Sequence, residues 1–309
     1  MTCISSCHLI HPSLLQKGLH KPPSKPTMPI TPTYFQQAMP AISRPHDAPT
    51  GTNTSPIPPP IRTHHFPSPK IRLHLDDLSH EGSTIFLSNI KASEDLPLQI
   101  QNVLNLLYTP TCPRPGTRSV TLILRQYNGL AYTTGTDLDD DHKEIHLNLD
   151  YILRVGAERA RHEVLGILCH ELVHCFQWNA QGSCPGGLVE GMADYVRLNA
   201  GLAARHWKQE AEGNWDAGYQ HTGFFLQWLE EKFGVGTVRR LNGCLRMGRY
   251  DEDRVFGECC RGRRVEELWG EYREELQRRG DGEGNGATGT TGEEGRTIPT
   301  DTPPKHGDA

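Results

Sequence analysis

The sequence predicts an α+β domain in which most of the strands come first and a run of helices follows. Four segments before residue 150 are short, rich in β-branched or alternating apolar residues, and typical of strands. After Asp150 the apolar residues recur at intervals of three and four as far as about Arg279, which is typical of helices.

The pattern places the elements in order along the chain. Alternation predicts the first strand, and apolar spacing of three and four predicts a helix that ends before Pro110. An acidic loop joins the last two strands. The predicted elements are strand 71–75, helix 96–108, strands 119–124, 129–134 and 144–149, helix 161–178, a helix carrying Glu190 and Asp194, and helix 265–278.

Both ends of the chain differ in composition from the middle. Most of the 23 prolines lie within residues 1–69, and such a segment buries too little apolar area to offset its ordering entropy. Residues 280–309 consist mainly of Gly, Thr, Glu and Asp and contain no aromatic residue. We expect both ends to be disordered tails. Residues 70–279 hold all five tryptophans and are expected to form one domain.

Bulk properties limit the partners and favour one compartment. A formal net charge of −5 gives no reason to expect nucleic acid or an anionic membrane as a partner. No apolar run reaches the roughly 18–20 residues of a membrane span, and the first 25 residues lack the order of features of a signal peptide. The nine cysteines form no regular framework, which favours reduced thiols. We expect a monomer and favour a cytoplasmic over a secreted location, with the compartment left open.

The most informative motif is His170-Glu171-Leu172-Val173-His174. Two histidines four residues apart project from one face of a helix, where both imidazoles can bind one zinc ion. Glu171 follows the first histidine and can act as general base on a zinc-bound water, later passing the proton to the leaving amine. The alternative, a core helix with two hydrogen-bonded histidines and an ion-paired glutamate, is disfavoured by the acidic residues downstream.

A catalytic zinc site needs a third protein ligand, and we assign Glu190 to that role. Asp194 lies four residues later and would accept a hydrogen bond from the non-metal nitrogen of a ligand histidine. The small Gly191 and Ala193 would let this second helix approach the first closely. Exchange of the two acidic roles stays open, as does an exposed acidic face paired with Arg197 or Arg205.

These motifs, with further runs downstream, resemble the plant basic secretory protein family, which consists of zinc-dependent peptidases of the zincin class also found in fungi and bacteria. The resemblance spans residues 70–278. The runs that carry it are 170–174, Gln177-Trp178-Asn179, 185–188, 190–197, His206-Trp207, 215–219 and 268–272.

The resemblance implies a zincin-like fold, in which an edge strand of a mixed sheet lines a cleft beside the active-site helix. Either 129–134 or 144–149 would suit that strand, which pairs with an extended peptide or protein substrate. It also implies a single catalytic zinc and supports Glu190 over Asp194 as ligand. The slight acidity and the missing signal peptide depart from the family's name, so its location is not carried over.

An oxyanion stabiliser is expected across the metal from Glu171. Tyr219 matches a position of the family and offers a phenol donor. Tyr195, His206 and His221 are alternatives, and packing of the Tyr219 ring at a helix start is an equally good interpretation.

The resulting hypothesis is a zinc metallopeptidase that hydrolyses peptide bonds. A zincin-fold binding protein, for example in defence, with little turnover is the first alternative. A purely structural α+β protein without a metal is the second.

Overall fold

The computed structural model describes residues 64–136, 139–155 and 157–284. It confirms an α+β chain, since helices alone follow the last strand in the described region. None of these described helices combines the length and apolar character needed to cross a bilayer. The elements are β1 (Lys70–Leu75), α1 (Glu81–Asn89), α2 (Ala92–Leu107), β2 (Ser119–Arg125), β3 (Ala131–Gly135), β4 (His142–Asn148), α3 (Leu149–Val155), α4 (Ala157–Phe176), α5 (Gly186–Asn199), α6 (Tyr219–Phe233), α7 (Thr237–Cys244), α8 (Glu252–Cys259) and α9 (Val265–Gly284).

The four strands form one sheet in the order β1-β2-β4-β3. The first three in this order run parallel, and β3 pairs antiparallel with β4 at the edge. Because β4 has a strand on each side, the prediction that residues 144–149 could form the edge strand is wrong. Of the two candidate segments, 129–134 supplies the edge strand.

Helix α4 lies at the centre of the domain. It packs against β3, β4, α2 and α5, and nearly every side chain from Val164 to Phe176 is buried. The sheet contributes alternating buried residues to the same core, among them Leu122 and Leu124 of β2 and Ile145 of β4. A helix held on several sides keeps its side chains in fixed positions, which suits a site built on its residues.

Helix α1 was not predicted, because it buries only Gly82, Ser83 and Phe86 and shows no long apolar stripe. Its start is fixed locally, since His80 Nδ1 accepts a hydrogen bond from the Gly82 N–H at 3.0 Å. Gly82 also permits a close approach, because a Cβ there would lie 2.3 Å from the Leu149 carbonyl oxygen. Such packing depends on a distant segment and leaves no periodic signal in the sequence.

Described structure continues past the predicted domain limits at both ends, as packed chain before residue 70 and as helix after residue 279. Phe66 is 1% exposed, and its main chain exchanges two hydrogen bonds of 2.9 Å with the side chain of Gln101. Helix α9 continues to Gly284, past the predicted end at residue 278. The remainder of the two predicted tails, residues 1–63 and 285–309, lies outside the described residues.

The ion pair between Asp95 of α2 and Arg161 of α4 is bidentate, with N–O distances of 2.7 and 2.9 Å. Asp95 also accepts a hydrogen bond at 2.8 Å from the main-chain N–H of Lys91, the N-cap residue, and so stabilises the start of α2. The hydrogen bond from Arg161 lowers the pKa of Asp95 despite the opposing effect of burial. We therefore expect Asp95→Asn to lower the free energy of unfolding at pH 7 by about 1–3 kcal/mol, nearer the lower limit because Arg161 is half exposed.

The same substitution should lose its effect in acid. A carboxyl whose pKa is lower in the folded chain stabilises it above the unfolded pKa of about 4, and this contribution disappears as the pH falls through the folded pKa. Urea denaturation of Asp95→Asn and wild type at pH 7 and at decreasing pH below 4 measures this. The exposed Glu94→Gln variant is the control and should change little. An Asp95→Asn deficit that persists undiminished in acid would show that charge is not its cause.

Candidate active site

Helix α4 brings His170 and His174 together because four residues make about one turn. Their Nε2 atoms lie 3.2 Å apart, and the two rings meet edge to face with centroids 4.9 Å apart. His170 is nearly buried and His174 is partly exposed. Both Nε2 atoms therefore face the same small volume.

Helix α5 supplies the third group of this cluster. Glu190 Oε2 lies 3.1 Å from His170 Nε2 and 3.7 Å from His174 Nε2. Within the described residues these three side chains form a group whose potential ligand atoms all lie within 4.8 Å of one another, so the group could hold a metal ion. We call these three residues the His–His–Glu cluster.

Asp194 lies one turn after Glu190, and its side chain contacts the other ring nitrogen of His170. Its Oδ1 is 2.7 Å from His170 Nδ1, and its side chain is buried. The ring of His170 is thus held between two carboxylates on one helix. Glu190 therefore belongs to the cluster, whereas Asp194 lies on the other side of the His170 ring.

Gly191 has a different role from the one expected. A Cβ at this position would lie 2.4 Å from the side chain of Thr222, so the missing side chain lets α5 approach α6. The expected contribution of Gly191 to the approach of α5 to α4 is wrong. Packing between α5 and α6 instead sets the position of Glu190 and Asp194.

The charges of the cluster favour a cation. Burial alone would lower the pKa of His170, but hydrogen bonds to Asp194 and Glu190 outweigh it and raise the pKa to about 10. Burial opposes ionisation of Glu190, yet hydrogen bonds from His170 and His174 hold its pKa far below the usual range. The cluster therefore stabilises positive charge, whether a proton or a metal cation.

Glu171 is buried beside the cluster and is held by an unforeseen partner. The hydroxyl of Thr133, on the edge strand β3, donates to Glu171 Oε2 at 2.6 Å and lies 3.0 Å from the Glu171 main-chain oxygen. The alternation of β3 turns Thr133 toward α4, but the sequence does not show that β3 lies beside that helix. Thr133 was missed for this reason.

Tyr219, the first residue of α6, lies beside His170 in strained backbone geometry. It has φ +47° and follows Gly218 at φ +93°, both in the left-handed region. Its ring stacks on the His170 ring with centroids 6.1 Å apart, and the side chain is 52% exposed. Burial and the charge of Glu190 raise the pKa of the phenol, which therefore stays protonated and can donate.

The alternatives to Tyr219 have other contacts. His221 Nε2 lies 3.1 Å from the Asn214 carbonyl oxygen, and its ring packs on Trp269. Tyr195 is buried, and this burial together with the nearby charge of Glu230 raises the pKa of its phenol. His206 is exposed. Among these candidates, the structure places Tyr219 against the cluster.

Gln177 was quoted in the sequence motifs but was given no role. It follows the end of α4, and its side-chain Nε2 lies 3.0 Å from His174 Nδ1. Each imidazole of the cluster therefore has a polar partner on the nitrogen that faces away from it. The HxxQ spacing, from His174 to Gln177, was the sequence signal for this contact.

Comparison with known proteins identifies a family. A family model described as "Peptidase of plants and bacteria" matches residues 68–272, more than half of the chain. The matched region includes the cluster, Glu171, Thr133 and Tyr219. No curated protein and no solved structure matches the chain.

Proposed function

The chain belongs to the basic secretory protein family of peptidases of plants and bacteria, and on this premise we propose that it is a zinc-dependent metallopeptidase. Membership in a peptidase family implies protein or peptide substrates. The observation that carries the proposal is the His–His–Glu cluster of α4 and α5, with Glu171 next to its first histidine.

The donor set suits zinc. Two imidazole nitrogens and one carboxylate are a common ligand set of catalytic zinc, and three protein ligands leave a coordination position for water or substrate. The negative surroundings of His170, flanked by Glu190 and Asp194, favour a divalent cation over a neutral ligand. We assign His170, His174 and Glu190 as ligands and Asp194 as the residue that orients His170.

In the proposed mechanism His170, His174 and Glu190 would hold the zinc ion, which would supply polarisation of the scissile carbonyl and a lower pKa of the attacking water. Glu171 accepts the proton of that water and passes it to the leaving amine. The Thr133 hydroxyl donates to Glu171 Oε2, and we propose that Oε1, which does not take part in this hydrogen bond, accepts the proton. The phenol of Tyr219 donates a hydrogen bond to the carbonyl oxygen as negative charge develops there.

We further propose a zincin-like fold, with substrate bound along β3. Two observations support this: β3 is an antiparallel edge strand, and its Thr133 contacts Glu171 directly. An extended peptide that adds to this edge would lie next to the general base.

Substitution of Thr133 tests whether its hydroxyl positions Glu171. We expect Thr133→Val, which keeps the shape but removes the hydroxyl, to lower kcat by about 10- to 100-fold, as a lost hydrogen bond to a charged group implies. Thr133→Ser keeps the donor and should stay close to wild type, with KM unchanged in both. Steady-state kinetics on a quenched peptide measure this, and equal losses in the two variants would assign Thr133 a packing role.

Tyr219→Phe tests the proposed oxyanion donor. Removal of one such donor should lower kcat by about 100-fold with little change in KM, since the hydrogen bond strengthens only in the transition state. Tyr250→Phe is the matched control, because the Tyr250 hydroxyl lies 3.4 Å from Glu252 rather than at the cluster. Wild-type kcat in Tyr219→Phe would leave the ring with a packing role alone.

The proposal as a whole is tested by measuring zinc content and cleavage of an unfolded protein on the same preparation of the full chain. We expect one zinc per chain together with cleavage. Zinc without cleavage would favour a zincin-fold binding protein, and the lack of both would favour a purely structural protein.

A further inference from the structure

Gln177 has a polar atom without a partner. Its side chain is half-buried, and its Oε1 is inaccessible to water and makes no hydrogen bond within the described residues. The Nε2 of the same amide lies 3.0 Å from His174 Nδ1. A buried carbonyl oxygen without a donor is costly, so this arrangement calls for a physical reason.

The two ends of the amide have opposite consequences for His174. If the amide N–H donates to Nδ1, that nitrogen is an acceptor, and a neutral imidazole then carries its hydrogen on Nε2. The Nε2 atom, however, faces His170 Nε2 at 3.2 Å and Glu190 Oε2 at 3.7 Å, where a metal would bind. This tautomer would block the ligand atom.

Rotation of the amide by half a turn gives the oxygen a donor and frees the lone pair of His174 Nε2, while the amide nitrogen takes the buried position that Oε1 held. Amide oxygen and nitrogen have nearly the same size, so their exchange leaves the packing unchanged and is decided by hydrogen bonding. After the exchange Oε1 accepts the hydrogen of His174 Nδ1. The oxygen then has its donor, and the lone pair of Nε2 points into the cluster.

The main chain fixes Gln177 in reach of His174. The Gln177 N–H donates to the Val173 carbonyl oxygen at 2.8 Å, which continues the helical pattern beyond the end of α4. The next N–H, that of Trp178, donates at 3.0 Å to Asn242 Oδ1 on α7. Residues three apart on a helix are neighbours, so the side chain of Gln177 lies over His174.

We propose that Gln177 is a positioning residue for His174, its carbonyl oxygen accepting the Nδ1 hydrogen and so keeping Nε2 free to bind a cation. The inference rests on the proposed metal site. His170 has the corresponding partner in Asp194 on α5, so each histidine is oriented by a separate element. Partners of this kind fix both the tautomer and the orientation of a ligand.

Two substitutions of Gln177 separate positioning from packing. Gln177→Leu keeps the approximate volume and removes the acceptor, and we expect zinc affinity to fall by about 10- to 100-fold. Gln177→Glu has the same shape and, when ionised, offers only acceptor atoms, so its affinity should remain close to wild type. The measurement is competition for zinc between the purified full chain and a chromophoric chelator at neutral pH. Gln101→Leu on α2, whose amide contacts Phe66, is the control and should bind as wild type does.

The opposite order of affinities overturns the inference. A packing role predicts wild-type affinity for Gln177→Leu and weaker binding for Gln177→Glu, because the latter places a charge in a half-buried position. If Gln177→Leu fails to fold, as judged by thermal unfolding, Gln177→Glu still decides the question. Because the readout is zinc affinity, a wild type that binds zinc without cleaving peptides would contradict the proposed function alone. A wild type that binds no zinc would contradict both.

Discussion

Glu171→Gln is expected to lower kcat by about 10²- to 10⁴-fold, the usual contribution of a general base, while zinc content stays at the wild-type level. The substitution keeps the shape of the side chain and its hydrogen bond from Thr133, but removes the atom that accepts a proton. Glu171 does not belong to the His–His–Glu cluster, so the metal ligands are unchanged. The measurement is peptide cleavage with zinc determined on the same sample.

Glu158→Gln is the matched control for this substitution. Glu158 lies in the first turn of the same helix and is exposed. It should retain full activity. Wild-type cleavage by Glu171→Gln would refute the role of Glu171 as base, and loss of zinc in that variant would point to Glu171 as a ligand instead.

Glu190→Gln should abolish cleavage by weakening zinc binding more than about 100-fold, beyond the range seen for residues that only orient ligands. A carboxamide is a poor zinc ligand, and Glu190 is the only carboxylate of the cluster. Asp194→Asn keeps an oxygen that can accept the hydrogen of His170 Nδ1. Its zinc affinity should therefore fall by only about 10-fold.

The pair of variants also decides which acidic residue is the ligand. Zinc affinities of both are measured by chelator competition at the same pH. A larger loss in Asp194→Asn than in Glu190→Gln would exchange the two roles and would require α5 to be rotated from its position in the structure.

The fold class followed from the sequence because strand and helix patterns are local. Alternation located β1, and apolar spacing located α2 and α4, although α2 and α4 each begin four residues earlier than expected. The start of α2 depends on capping by Asp95, whose contact with Arg161 links distant parts of the chain. Strand order is likewise a tertiary property, which is why β3 and β4 could not be told apart as the edge.

The grouping of the candidate site residues followed from the sequence where spacing along one helix decides the geometry, and contacts with a second element were missed. The pairs His170 and His174, and Glu190 and Asp194, are each four residues apart on their helix, so the sequence indicated a shared face. The contact between Thr133 and Glu171 joins a strand to a helix and has no such signature. The sequence also could not choose Tyr219 over its alternatives, because its place beside His170 depends on packing between α5 and α6.

Removal and return of zinc test the central claim most directly. The full chain is treated with a chelator and dialysed. Its cleavage of an unfolded protein is then measured before and after addition of one equivalent of zinc, and the Glu171→Gln variant is treated and assayed in the same way. We expect cleavage to disappear with the metal and to return with zinc in wild type only. Cleavage that survives complete removal of the metal, or that zinc restores equally in Glu171→Gln, would contradict the account.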